Sequence, residues 1–400
     1  MICLYIFHIV LKFSSNFFSL IFLKQVGILK LKSTNISMGI WKIRMRRLLA
    51  IKFSHIQRLN FYGLLAALLF NEYIIYYFNR LGWEKAACET DSCSRILFVA
   101  DPQVLGESKE SRWYARYDSD KHISRNYHQA VSHVRPDVIV FLGDLIDEGS
   151  YADDFSYEKY FRRFVDIFPE PDGVKMIFIP GDNDIGGEGS EMVKPSKVKR
   201  FNNYFEDNSQ WKFDNKLNIY HINRITHELP LLKDKDMPQI EENSGYTRIL
   251  ISHFSIILIP GAYSYKAIER FRPHVIFSGH YHRSSQITSE LKRLRYSTTL
   301  PLMHSMSYEL RTIETNQEAL EIQVPSCSYR MGEDHIGFGQ AVIENGYLHY
   351  TPLFIPNRFT QLRLYVVFGF VLIIVNILIS HNFRKLLRKF NFSRQNYHPI

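Results

Sequence analysis

The sequence predicts an α/β domain with its functional groups gathered at the carboxyl ends of its strands, and three observations carry that reading. From Arg95 onward, short apolar runs alternate with helix-like stretches, the pattern of a largely parallel sheet covered by helices. Five of the runs end in carboxylates, imidazoles or glycines. Apolar segments with basic flanks lie on either side, at residues 61–78 and 364–383. A chain of 400 residues, 46% hydrophobic and 22% charged, is long enough for one substantial core plus further segments.

The formal net charge of +9 sits at the ends. Residues 1–60 hold ten Lys or Arg and no acid, and residues 381–400 hold five and no acid; without those fifteen the remainder is −6. Such a body offers no basic face, so nucleic acid is not expected as a partner. Ile2 to Phe22 is apolar but broken by His8 and Lys12. It fits a signal-like region, an extra anchor, or an extension of residues 1–37 upstream of a start at Met38, and the last is adopted. Residues 1–60 then read as a basic cytoplasmic segment.

Phe61 to Phe78 leads into a transmembrane helix placed at 61–80. Glu72 within it costs about 2–3 kcal/mol at mid-membrane, which the surrounding Leu, Ile and aromatic residues offset. Cys88 and Cys93 follow and could close a small loop, with Cys327 either unpaired or bonded to one of them. Leu364 to Phe383 has no Asp, Glu, Lys or Arg and is long enough to span a bilayer, with a basic tail at 384–400 behind it. The positive-inside rule places both ends in the cytoplasm and residues 84–360 in the lumen or exterior.

Within the body, Ile96–Ala100 ends in Asp101-Pro102-Gln103, and Val138–Leu142 in Gly143-Asp144, with Asp147 beyond. Met176–Ile179 ends in Pro180-Gly181-Asp182-Asn183-Asp184. Ile249–Ile251 leads to His253, and Val275–Phe277 to Gly279-His280-Tyr281-His282. Helices are expected over Lys121–Val134 and Tyr157–Phe168, and residues 208–246 read as loops with short strands covering one side of the site. Taken singly, each cluster is an ordinary turn or a structural histidine. Together, in order, at strand ends where α/β sheets bind ligands, they form one site. Mixed carboxylates and imidazoles suit Mn, Fe or Zn, and the glycines allow close backbone approach.

This series resembles the calcineurin-like metallophosphoesterase superfamily, whose pattern is D-x-H, G-D-x-x-D, G-N-H-D, a lone His and G-H-x-H. The match runs over about residues 95–285. The two anchors, the segment LLFNEYIIYY and the segment VPSCSYR (Val324 to Arg330) resemble the branch that removes ethanolamine phosphate from glycosylphosphatidylinositol (GPI) anchors during export from the endoplasmic reticulum. The resemblance implies an αββα sandwich with a two-metal site, flanked by two transmembrane helices. It places Asp101 and His282 on a first metal, Asp144 between the two, and Asp182, His253 and His280 on a second. Asp147 and Asp184 would orient neighbouring groups. It further implies GPI-anchored proteins or the GPI glycan as substrate, and ER-export cargo receptors as partners. The location it implies is multi-pass in endoplasmic reticulum to Golgi membranes, with the catalytic domain lumenal.

Three positions depart from the family pattern. Gln103 replaces a His ligand, Asp182 replaces an Asn ligand, and Asn183 replaces the His that contacts phosphate and protonates the leaving group. Losing an imidazole and gaining a carboxylate favours oxygen-loving ions, so two Mn2+ are expected. Asn183, taken as the catalytic residue, can orient phosphate but supplies no proton near pH 7. His304 is then a candidate donor. Two alternatives stay open: a lumenal phosphoesterase of a nucleotide or lipid headgroup, and a metal-retaining binding protein with little turnover.

Overall fold

A computed structural model describes residues 55–395, apart from 86–87, 91–92, 207, 214–216, 231–245, 291–295 and 311–317. The reading of residues 1–37 lies outside the described residues. Two compact units divide the chain: the body Tyr76–Asn357, and Met1–Ile75 with Arg358–Ile400.

The body is built on two sheets. The first has the order β10-β13-β12-β1-β2-β3, with β1 (Ser94–Val99), β2 (Val138–Phe141) and β3 (Lys175–Phe178) parallel. Its other strands, β10 (Met306–Glu309), β12 (Gly337–Glu344) and β13 (Tyr347–Phe354), add on antiparallel. The second sheet has the order β4-β5-β6-β7-β11-β8-β9. Here β5 (Leu217–His221), β6 (Thr247–Ser252), β7 (Val275–Ser278) and β11 (Glu318–Gln323) run parallel. The strands β4 (Gln210–Phe213), β8 (Ser285–Glu290) and β9 (Ser297–Pro301) complete its two edges.

Three apolar layers follow. Phe98, Val140, Ile251 and Phe277 pack between the sheets, where the Phe98 and Phe277 rings stack at 4.0 Å. Tyr127, Phe164 and Phe201 cover the outer face of the first sheet, where Phe141 meets them. Ala267, Ile268 and Phe271 cover that of the second. The helices that supply these outer layers are α2 (Trp113–Val134), α3 (Asp154–Ile167), α5 (Pro195–Phe205) and α6 (Ala262–Phe271), and a single turn, α4 (Asp182–Ile185), follows β3. The result is an αββα sandwich. With both faces covered, the central strands need apolar residues at nearly every position, and β1, β2 and β7 are buried almost throughout.

Within 208–246 the expected short strands form as β4 and β5, and the difference lies in where β5 sits. β5 (LNIYH) is a fully buried strand inside the second sheet, parallel to β6. Asn218 and His221 interrupt its apolar run and hide it in the sequence. The Cys88–Cys93 disulfide is formed, and Cys327 is buried and free.

The helix α1 (His55–Leu81), which begins in the other unit, and the span Arg358–Ile379 of α7 (Arg358–Gln395) are long and apolar enough to cross a membrane, with mean hydropathy 1.3 and 2.5. Asn60 and Asn376 exchange side-chain hydrogen bonds at 3.3 and 3.1 Å. A π-helical stretch, Phe70–Ile74, carries Glu72. Its carboxylate accepts from Arg358 Nη2 at 2.9 Å and Tyr365 Oη at 3.0 Å, so an ion pair and a phenol stabilise it beyond what apolar neighbours provide. The Arg358 side chain is 3% exposed. Glu72→Ala would remove the carboxylate from a buried guanidinium that keeps neutral company such as Gln361 Oε1 at 3.0 Å, and breaking a buried pair in this way destabilises by roughly 3–5 kcal/mol. Unfolding of the full chain in detergent should show this loss, with Glu72→Gln intermediate; an unchanged midpoint for Glu72→Ala would remove the pair from the account.

Candidate metal centre

The loops leaving β1, β2, β3, β6 and β7 converge. Asp101, Asp144 and His253 form one potential ligand group and Asp182, His253 and His280 another, with the ligand atoms of each group within 4.8 Å of one another. His282 Nε2 lies 3.9 Å from Asp101 Oδ1 and 3.5 Å from Gln103 Nε2. Gln103 Nε2 also donates to Asp144 Oδ2 at 3.1 Å. All six sequence-derived ligands, and Gln103 with them, therefore occupy one place.

The backbone is bent hard to achieve this. A Cβ on Gly143, whose φ is +92°, would fall 2.5 Å from His253 Nδ1, and one on Gly181 would fall 2.1 Å from Asp144 Oδ1. Asp101, Gln103, Asp144, His280 and His282 all adopt left-handed backbone, with φ between 42° and 66°. Non-glycine residues there are strained by about 1–3 kcal/mol each and persist only where the surroundings enforce it. Strain gathered on the ligands themselves marks a functional centre.

The charges point to a cation. Burial pushes the carboxyls of Asp101 and Asp144 upward, Asp101 well above its ordinary range. Burial would also raise Asp182, but hydrogen bonds from His253 and His280 outweigh it and hold Asp182 far below. For His253, burial opposes charge, yet Asp144, Asp182 and Asp101 hold the imidazole at about 10. Positive charge is what these carboxylates lack, and divalent ions supply it in place of a proton. Burial, with His280 and His253 nearby, pushes His282 down to about 4, leaving a neutral ring with a free lone pair. His253 Nδ1 faces the Leu142 carbonyl at 2.8 Å and Nε2 faces Asp182 at 2.9 Å, the arrangement that fixes a ligand tautomer. The donor set of oxygens and imidazole nitrogens fits Mn, Fe or Zn.

Two further acids orient the loops. Asp184 accepts from the backbone of Leu145 and Ile146 at 3.0 Å each and of Gly181 at 2.9 Å, tying the β2 loop to the β3 loop. Burial and the Asp144 charge raise it to about 7. Asp147 pairs with Lys109 at 3.0 Å. Asn183 donates to Asp144 twice, from its backbone at 2.9 Å and its side chain at 2.8 Å. His304 is exposed, and no described contact joins it to the cluster.

Sequence reasoning missed Glu188 and Glu321. Glu188 is exposed, with Oε1 4.0 Å from His280 Nε2. It sits between Gly187 and Gly189, both at positive φ, and that glycine run was its one signal. Glu321, fully buried on β11, accepts from Ile256 and Ile257 N–H at 3.0 and 2.8 Å and from Ser278 Oγ at 2.5 Å. It fastens the segment after His253 to the strand before His280. Glu321→Ala would orphan two buried N–H groups at roughly 1–3 kcal/mol each. The variant should melt earlier and hold metal less tightly, while Glu321→Gln, which keeps an acceptor oxygen, should lose much less. Equal behaviour of the two variants would contradict this role.

The profile of the calcineurin-like phosphoesterase family matches residues 94–284. Residues 94–284 belong to that family. Among curated relatives, it is 29% identical to a Metallophosphoesterase 1 homolog of Drosophila melanogaster over 40% of this chain and 42% of that protein. To Metallophosphoesterase 1 of Danio rerio it is 31% identical, over 36% and 38%. To Cell division control protein 1 of Saccharomyces cerevisiae it is 26% identical, over 60% and 53%. The matches thus span between 38% and 53% of these relatives' own lengths.

Proposed function

We propose that the chain is a membrane-anchored, Mn-dependent phosphodiesterase that removes side-branch ethanolamine phosphate from a mannose of the GPI glycan. The observation that carries the hydrolytic part is the convergence of six carboxylate and imidazole side chains, four of them on strained backbone, at the ends of five strands. Divalent ions held there supply Lewis-acid polarisation of a phosphoryl group and lower the pKa of water. The protein's own part is geometric. Asp144 is set centrally by the amides of Asn183 and Gln103, Asp184 locks the loops that carry Asp144 and Asp182, and Glu321 locks those that carry His253 and His280. The half-buried Asn183 lies at the rim, where its amide can turn to a substrate oxygen. Oxygen-rich ligands support Mn over Zn. The Metallophosphoesterase 1 relatives and the two apolar helices support a membrane-bound phosphoesterase.

Endoplasmic reticulum to Golgi membranes, with the body lumenal, is the proposed location, and ER-export cargo receptors are the proposed partners. The test is release of ethanolamine phosphate from a GPI glycan by the purified full chain with Mn, Mg or Zn. No release with any of the three, alongside hydrolysis of a simple phosphodiester, rejects the glycan. Topology is tested separately. Protease added to sealed microsomes should spare the body, and digestion of residues 84–360 in intact vesicles would reverse the orientation.

A further inference from the structure

Beside the metal centre, the loop at 150–154 and the start of α5 wall a cleft of about 990 Å3. It begins at Ser150, whose N–H donates to the Asn183 carbonyl at 2.6 Å. One wall of the cleft is therefore hydrogen-bonded to the backbone of Asn183. Four cations line it, Lys194, Lys197, Lys199 and Arg200, against two carboxylates, Asp154 and Glu191. The carboxylates are already engaged: Glu191 holds Lys197 at 2.7 Å and Asp154 holds Arg200 at 3.0 Å. Arg200 is also fixed by the Ala152 and Gly149 carbonyls, both at 2.8 Å, so the floor of the cleft is built rather than a loose surface charge. Lys194 and Lys199 are exposed, and among the described residues neither side chain has a partner.

We infer that this cleft is a second substrate subsite, taking an anionic, phosphate-bearing part of the glycan beyond the scissile ester. Two uncompensated ammonium groups on flexible stems match a phosphate, which needs charge more than a fixed geometry. The Tyr151 and Tyr204 side chains in the same wall give a sugar ring an apolar surface. The position beside Asn183 lets one ligand reach both places at once, so that binding here raises the local concentration of the scissile group at the centre. This inference names the substrate's second contact and rests on the glycan reading above.

The test uses the metal-loaded full chain in detergent and calorimetric titration with a trimannoside 6-phosphate and the same trimannoside without phosphate. The phosphorylated sugar should bind at least about tenfold tighter, and the double variant Lys194→Glu/Lys199→Glu should remove about tenfold of that affinity. Phosphate held only by the metals would be insensitive to these two lysines. Equal binding of both sugars, or affinity unmoved by the double variant, overturns the inference. Circular dichroism checks folding, and Lys194→Gln/Lys199→Gln, expected to lose about threefold, replaces the charge reversal if that variant does not fold. Ethanolamine phosphate release is measured on the same wild-type preparation. Release without phosphate-dependent sugar binding rejects the cleft alone, and lysine-dependent binding without release rejects the proposed reaction alone.

Discussion

Alanine at Asp144 is expected to strip the centre of metal and to lower turnover by on the order of 10^3-fold. Asp144 accepts hydrogen bonds from Asn183 and Gln103 and lies 3.4 Å from His253 Nε2. It is buried and belongs to the ligand group that shares His253 with the other. On the proposed two-metal reading, its carboxylate would supply the charge that lets a second dication sit close to the first. Metal polarisation is worth several kcal/mol in phosphoryl chemistry, and each 1.36 kcal/mol is a factor of ten in rate. Elemental analysis should find the variant depleted of metal. A second readout is independent of turnover: a divalent ion at 1,000 times its Kd stabilises a folded protein by roughly 4 kcal/mol. Mn2+ should therefore raise the melting temperature of the wild type and leave that of Asp144→Ala almost unmoved. A variant with full metal content and near-normal activity would sink the assignment.

That Asp101 and Asp144 stand out in the sequence reflects how buried parallel strands are written. Ile96, Leu97, Phe98 and Val99 are all fully buried, so the strand is an unbroken apolar run and its polar end stands out against it. The same logic located β2, β3, β6 and β7, and the resemblance of their ordered ends to the family pattern implied the ligands. It failed where buried faces are not apolar. The first two turns of α2 bury Ala115 and Ser119 while Trp113 and Tyr117 face outward, so no apolar stripe announced the helix before Lys121. β5 was obscured by Asn218 and His221. The strands β8, β9, β10, β12 and β13 join antiparallel, and the pairings β1–β12, β10–β13 and β8–β11 link residues far apart in sequence, which leaves little local trace. The left-handed backbone of five site residues and the clamp made by Glu321 arise only from tertiary contacts, and no residue pattern encodes them.

Asn183 gives the second large effect. Its amide occupies the place of a family histidine, and in the structure it donates to Asp144 Oδ2 at 2.8 Å, the oxygen that Gln103 also approaches at 3.1 Å. Asn183→Ala thus removes a positioned donor beside both the ligand carboxylate and the mouth of the site. Loss of a donor preorganised toward developing negative charge costs ~2.7–4 kcal/mol, or roughly 100- to 1000-fold in rate. Because the backbone N–H of residue 183 still donates to Asp144, metal content should fall far less than turnover does. Asn183→His tests the missing proton. An imidazole can protonate the leaving oxygen, so the rate should hold or rise, with a new limb in its pH profile near the ordinary histidine value of about 6.5. The sign is fixed: the acid acts when protonated, so the added rate is present below that pH and lost above it. If Asn183→His releases ethanolamine phosphate where the wild type releases none, the natural protein is a metal-holding binder. If Asn183→Ala turns over at the wild-type rate, Asn183 is a turn residue and the proton and the orientation both come from elsewhere.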